Sequence, residues 1–294
     1  MSFHGKIAQK DDAVEYFVVK VRESTTEKMY PVVGEKRDQL LSELDLVRTI
    51  QETLFYYPLM VQWNIRDFYN MKHNETRYHE SRGIQSFALS SELLVDQNRI
   101  ILNLLTSFRA YVDNVTHMLH LQFGKDCEVA KKFKETQSRL FDANFEYRFI
   151  CKYRNYVQHV GLPIHENVAD KAVLRRGSLK LVPLLVTEKL LKQYDGWGPV
   201  KVDLQKRQTI SLLDVIEKFQ NQVDELHVEL SGYVFSNGLY SIENVLTHYR
   251  NVKAKSPDYS AAVLIVERDQ GHIRLFPEDF LSEYERIIQW ESRR

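Results

Sequence analysis

The chain is short of the residues on which several function classes depend. Only two of its 294 residues are cysteine, Cys127 and Cys151, so no disulfide framework can be read from it. Glycine occurs 11 times, which disfavours the Gly-rich loops that cradle phosphates. No uninterrupted apolar run approaches the ~20 residues that span a bilayer, and the opening M-S-F-H-G-K has no apolar secretory core. These absences predict a cytoplasmic chain with reduced thiols and no membrane association. Neither sign of charge is in excess, with 40 basic residues against 40 acidic, so any RNA contact has to be local. No P-loop, G-x-G-x-x-G, G-x-S-x-G, H-E-x-x-H or C-x-x-C occurs. His73 and His79 have no Cys or acidic partners converging in sequence, and neither cysteine has a histidine at a nucleophile's spacing. No metal and no cofactor are expected.

What the chain does have is helical periodicity. Ile101, Leu104, Leu105, Phe108, Val112, Val115 and Leu119 form one apolar stripe, predicting a helix over about 91–122, capped by Ser90 or Ser91. Arg109 and Asp113, four apart on it, are expected to pair. A second long helix is expected over 127–160, joined to the first as an antiparallel hairpin. Leu212, Ile216, Phe219, Val223, Leu226, Leu230 and Tyr233 alternate by four and three, the seam of a bundle helix. Ser236-Asn-Gly238 reads as a turn before a short helix over 241–249.

Shorter segments surround these helices. Tyr16–Arg22 reads as a strand, and a helical period from Arg37 is expected to end or kink at Pro58. Residues 71–83 read as an exposed loop. Leu179–Val186 and Val200–Leu204 read as strands of an inserted hairpin, Pro183 marking an edge. Ala261–Val266 and His272–Phe276 read as a second hairpin before a last helix, about 277–290.

The most informative stretch is Phe145–Pro163, F-E-Y-R-F-I-C-K-Y-R-N-Y-V-Q-H-V-G-L-P. Arg148, Lys152, Arg154, Asn155, Gln158 and His159 are set into an apolar helix that Gly161 and Pro163 terminate. Burying an Arg in such a helix costs several kcal/mol unless a partner or a ligand compensates. At 100° per residue Arg148, Lys152, Asn155 and His159 share one stripe, whereas Arg154 lies with Tyr147, Ile150, Cys151 and Gln158. Arg154 and His159 are then roughly 140° apart, and two copies of the helix meeting across a two-fold axis bring them to one groove.

The run R-N-Y-V-Q-H, Arg154 to His159, resembles the R-N-x-x-x-H signature of the HEPN superfamily, with Tyr-Arg-Phe before it and Gly-Leu-Pro after. The resemblance covers Ser91 to about Ile164. It implies a mainly α fold, an antiparallel HEPN-type helical bundle with small peripheral β elements. The organisation expected is an N-terminal segment over 1–89, the bundle over 90–255 with an insertion at 164–209, and a C-terminal hairpin and helix over 256–294. Arg154 and His159 correspond to the family's catalytic pair and Asn155 to its supporting polar position. Arg148, Lys152 and Gln158 are candidates for RNA binding.

The activity implied is metal-independent cleavage of single-stranded RNA by 2′-hydroxyl transesterification. His159 would move the proton, as imidazole does near neutrality. Arg154 would hold the phosphate in a planar fork and stabilise its developing charge. The partners implied are RNA, a second copy of the chain, and an antitoxin or defence partner in a toxin–antitoxin or antiviral setting. The alternative is a non-catalytic HEPN module binding RNA, nucleotide or protein. The Tyr that nucleotidyltransferase-silenced toxins carry two residues after the His is Gly161 here, so the resemblance does not extend to that regulation.

Overall fold

The computed structural model describes residues 15–23, 25–82, 87–164, 168–169, 181–267 and 270–291. Over these the chain is mainly helical, with small antiparallel sheets, and it divides into two compact units. One unit is Met1–Gln51 together with Phe235–Arg294; the other is Glu52–Val234. The expected divisions after residues 89 and 255 do not coincide with this. The first falls inside a helix, and the chain's two ends share one sheet.

That sheet carries the first unit. Strands β1 (Glu15–Arg22) and β2 (Thr25–Pro31) pair as a hairpin, and so do β7 (Ser260–Glu267) and β8 (Gln270–Leu275). β1 also pairs antiparallel with β7, giving the order β2-β1-β7-β8. The two central strands hold consecutive buried residues, Val18 and Val19 on β1 and Ala261, Ala262 and Val263 on β7. Helix α1 (Gly34–Gln51) buries Leu40, Leu44, Val47 and Ile50 at helical spacing. Its half-polar Glu43 is satisfied inside the same unit by Gln39 and Asn244.

The second unit begins with a π-helical turn, Glu52–Tyr56, running straight into α2 (Tyr57–Arg82). Pro58 has no N–H to complete an i→i−4 bond, and the widened turn ahead of it lets the helix pass the proline without stopping. α2 runs through residues 71–82 of the expected loop, and Gly83 lies outside the described residues. α3 (Phe87–Phe123) follows, beginning before Ser90 and Ser91, so neither is its cap. The apolar stripe from Ile101 to Leu119 is buried as expected, and Arg109 Nε donates to Asp113 at 2.7 Å.

The expected helix over 127–160 is two helices. α4 (Glu128–Ala143) starts on Cys127, whose Sγ accepts from Ala130 N, and ends at Asn144. α5 (Phe145–His159) starts from the same Asn144, held extended at φ −116°, ψ 120°. Asn competes well with helical geometry through its own amide, and here Nδ2 bonds back to Leu140 O.

Beyond α5 lie the short strands β3 (Val168–Ala169), β4 (Leu181–Val182), β5 (Leu184–Val186) and β6 (Thr209–Ser211), with α6 (Thr187–Gln193) and α7 (Val200–Gln205) between the last two. Pro183 splits the expected strand at 179–186, and β5 pairs with β6. Residues 200–204 are helical, not a strand. A five-residue apolar alternation fits either state, and the buried Val200 and Leu204 sit four apart as a helix requires.

Ser211 Oγ accepts from Asp214 N at the start of the longest helix, α8 (Leu212–Lys255), 44 residues in all. Residues 212–234 belong to the second unit and bury Leu212, Ile216, Phe219, Val223, Leu226 and Leu230. The expected turn at 236–238 is absent. In the first unit the same helix buries Ile242, Val245 and Tyr249, and one glycine costs only about 1 kcal/mol in a helix propagated from both sides. α9 (Glu278–Glu291) closes the chain.

Trp197, between α6 and α7, is fully buried and stacks on Phe149 and Tyr156 with ring centroids 6.0 and 5.6 Å apart. Its Nε1 donates to Leu190 O at 3.1 Å. Removing a buried aromatic of this size costs roughly 3–5 kcal/mol. Trp197→Ala should therefore lower the midpoint of urea unfolding sharply, whereas Trp63→Ala, at a half-exposed position, should shift it little.

Candidate functional site

α5 is built from two apolar faces with polar residues at their seams. Phe149, Tyr153 and Tyr156, spaced four and three, form one face. They stack on one another and on Trp197, and the Tyr153 and Tyr156 hydroxyls donate to Pro163 O and Gln193 Oε1. Tyr147 and Ile150 form the other, where Tyr147 meets Phe108 of α3 edge to face. Burial pushes the Tyr147 hydroxyl far above its ordinary range. The helix stops where Gly161 and Pro163 predict. Asn98 of α3 then clamps the exit, donating to Ile164 O at 2.8 Å and accepting from Ile164 N at 2.7 Å.

The six candidate residues do not converge. Arg148 is engaged structurally: Nη1 donates to Phe141 O at 2.6 Å and Asp142 O at 3.0 Å, and Nη2 pairs with Asp203 of α7 at 2.9 Å. Phe141 and Asp142 are in the last turn of α4, whose carbonyls have no helical partner, so a guanidinium there both caps the helix and opposes its dipole. Lys152 lies toward Gly198 in the turn before α7, where a Cβ would stand 3.6 Å from Lys152 Cε. Gln158 and His159 are exposed at the end of α5.

Arg154 and Asn155 are brought together. Arg154 Nη1 donates to Asn155 Oδ1 at 3.3 Å, and both residues line a cavity of about 430 Å³ between α3, α4 and α5. The buried Nε of Arg154 has no partner among the described residues, as is also true of Arg148 Nε, but Arg154 lacks the carboxylate and carbonyl acceptors that Arg148 has at its Nη atoms. Tyr147, Ile150 and Cys151 share the wall with Arg154, as angular spacing expected, whereas Gln158, expected on the same face, is exposed outside the lining, and Asn155, expected on the other stripe, lines it. His159 does not reach the cavity's lining. Within one chain the Arg and His of the motif therefore point to different places.

Lys134, Gln137, Ser138 and Asp142 of α4 and Arg109 of α3 complete the polar lining, and none of these was selected from sequence as a site residue. The available signal was the spacing of Lys134, Ser138 and Phe141, four and three apart on α4. It points nowhere until the break at Asn144 folds α4 against α5. Among the described residues no group of three or more His, Cys, Asp or Glu side chains is placed to hold a metal, and no helix is long and apolar enough to cross a membrane. Comparison with family models, with curated proteins and with solved structures finds no match to the chain.

Two outcomes follow from this geometry. Arg148→Ala should destabilise the protein by about 2 kcal/mol, the scale for charge-assisted bonds lost from a largely buried group, as read from chemical denaturation. Asp203→Asn should cost less, because the α4 carbonyls keep their donor. Burial pushes the Cys151 thiol up to about 11, despite the opposing pull of Arg109 and Lys152. The thiolate is the reactive species, so iodoacetamide at pH 8 should modify Cys151 roughly 100-fold more slowly than a free thiol. Unfolding in guanidinium should remove the difference.

Proposed function

We propose that the chain is a HEPN-type RNA-handling protein whose Arg154-Asn155-x-x-x-His159 motif cleaves single-stranded RNA without a metal. The observation that supports this reading is the state of Arg154: a guanidinium with an unpartnered buried Nε, facing a cavity lined by further cations. An uncompensated Arg on an apolar helix is costly, and an RNA phosphate is the bidentate acceptor its fork is suited to hold. The exposed His159 is free to reach a substrate carried on a second copy.

In the chemistry proposed, His159 takes the 2′-hydroxyl proton, or protonates the departing 5′-oxygen, while the 2′-oxygen attacks phosphorus. The P–O5′ bond breaks, leaving a 2′,3′-cyclic phosphate and a 5′-hydroxyl. Arg154 stabilises the charge on the non-bridging oxygens and Asn155 orients Arg154, to which it is already bonded. DNA has no 2′-hydroxyl and is not cut. Because Arg154 and His159 diverge within one chain, the reading requires a homodimer that supplies each phosphate with Arg154 of one copy and His159 of its partner. A toxin or defence setting, with an antitoxin or defence partner, rests on family analogy alone.

A second reading has its own support. Arg148 is spent on structure and Asn155 on Arg154, so the same cavity could serve a HEPN module that binds without cutting.

The test is purified protein with single-stranded RNA in EDTA. Cleavage is expected to leave cyclic phosphate ends, with His159→Ala and Arg154→Ala each lowering turnover by roughly 10²–10⁴-fold. Arg154→Lys should rescue poorly, since a point charge cannot replace a planar fork. Light scattering should report a dimer at tens of micromolar. Full cleavage by a folded His159→Ala variant would sink the enzyme and leave the binding module.

A further inference from the structure

The cavity between α3, α4 and α5 has two chemically different parts, and we infer that it holds one nucleotide, base inward and phosphate at the rim. The inference rests on the RNA-handling reading for the polymer involved, and on the cavity alone for the ligand's chemistry. Its floor is apolar and aromatic: Phe108 and Val112 of α3 with Tyr147 and Ile150 of α5, all buried. The lining also carries the exposed Lys134 and the half-buried Arg154.

Charge narrows the ligand. Arg109 also lines the cavity but is paired with Asp113 at 2.7 Å and is close to neutral as a unit. Lys134, Arg154 and the carboxylate of Asp142 also line it, which leaves one net positive charge. A phosphodiester carries one negative charge, so a nucleotide within a strand neutralises the site. A purely apolar ligand would leave the Arg154 guanidinium uncompensated, and a bare anion would leave the aromatic floor wet. Asp142 can only accept when ionised, which suits the exocyclic amino group of adenine, cytosine or guanine. Ser138 and Gln137 offer both donors and acceptors beside it.

Size agrees. A cavity of about 430 Å³ lies at the low end of small-molecule sites, room for one nucleotide and not for two. This makes Lys134 and Ser138 substrate-binding residues on a helix that does not carry the motif.

Isothermal titration calorimetry with adenosine 5′-monophosphate tests the inference on the full chain. Binding on the order of 0.1–1 mM is expected, as befits one small ligand in a partly open site. Inorganic phosphate alone and adenosine alone should each bind at least about tenfold more weakly, because each satisfies one part only. Lys134→Glu should raise the Kd about tenfold or more, and Ser138→Trp should abolish binding by filling the cavity. Both positions are exposed, so both variants should melt as the parent does. Lys131→Glu makes the same charge change on an exposed residue of α4 outside the lining and should bind normally.

Equal affinity for phosphate and the nucleotide would reduce the site to an anion site and overturn the inference, as would equal affinity for adenosine, or normal binding by Ser138→Trp. RNA cleavage that both cavity variants leave untouched would overturn the cavity as the substrate site while keeping the ribonuclease. Nucleotide binding with no cleavage would do the reverse.

Discussion

The stacking of α5 on Trp197 fixes what the rest of the second unit can present. Phe149, Tyr153, Tyr156 and Trp197 form one continuous aromatic layer, with Tyr194 edge-on at its margin. Aromatic pairs of this kind contribute about 0.5–1.5 kcal/mol each beyond the area they bury, and they also set the rotation of the helix about its own axis. Once the Phe149-Tyr153-Tyr156 face is committed to Trp197, the opposite face with Tyr147, Ile150 and Arg154 must meet α3 and α4. The cavity's position follows from that commitment. Its composition comes from two helices that the motif does not touch.

The same helix shows two solutions to the problem of a guanidinium in an apolar setting. Arg148 is answered by carbonyls that α4 leaves unpaired when it ends at Asn144, and by Asp203 across the way. The break and the Arg explain each other: a continuous helix over 127–160 would bond those carbonyls internally and leave Arg148 with Asp203 alone. Among the described residues Arg154, six residues on, has Asn155 as its one hydrogen-bond partner. From sequence the two arginines look alike. Structure divides them into one that completes the fold and one that does not.

What was legible in the sequence was whatever rests on local periodicity. The α3 stripe, the Leu212–Leu230 seam, β1, the C-terminal hairpin and the stop after His159 all stand where spacing and stop residues put them. Four features were not legible from local periodicity. Pairing of β1 with β7 joins segments some 240 residues apart, and no local pattern encodes it. The end of α4 is stabilised by an Arg seven residues downstream of Phe141. The passage of α8 through Gly238 is decided by cooperativity over both flanks. Residues 200–204 became helix where a short alternation had suggested strand. For the candidate site, angular spacing grouped Arg154 with Tyr147, Ile150 and Cys151 and separated His159 from them, but it misplaced Gln158, which lies outside the lining, and Asn155, which lies inside it. Lys134 and Ser138 stayed invisible, since only the fold of α4 onto α5 brings them there.

That separation has a consequence for how weak contacts could add up. A cavity sized for one nucleotide cannot by itself hold a strand tightly, because small ligands gain little beyond the cost of being immobilised. A two-fold pairing of α5 helices, as the proposed dimer requires, would present two such cavities to one strand. The second contact would then be intramolecular, with an effective concentration in the millimolar range for a short span, and affinity would rise 10²–10⁴-fold without any new contact. Under that arrangement a monomer would bind a mononucleotide as well as a dimer does, and only strand binding would depend on assembly. Mutations in the cavity would weaken both ligands together, whereas mutations at the dimer contact would weaken the strand alone. The divergence of Arg154 and His159 within one chain then ceases to be an objection to shared chemistry, because the same pairing that supplies the second cavity also supplies the second histidine.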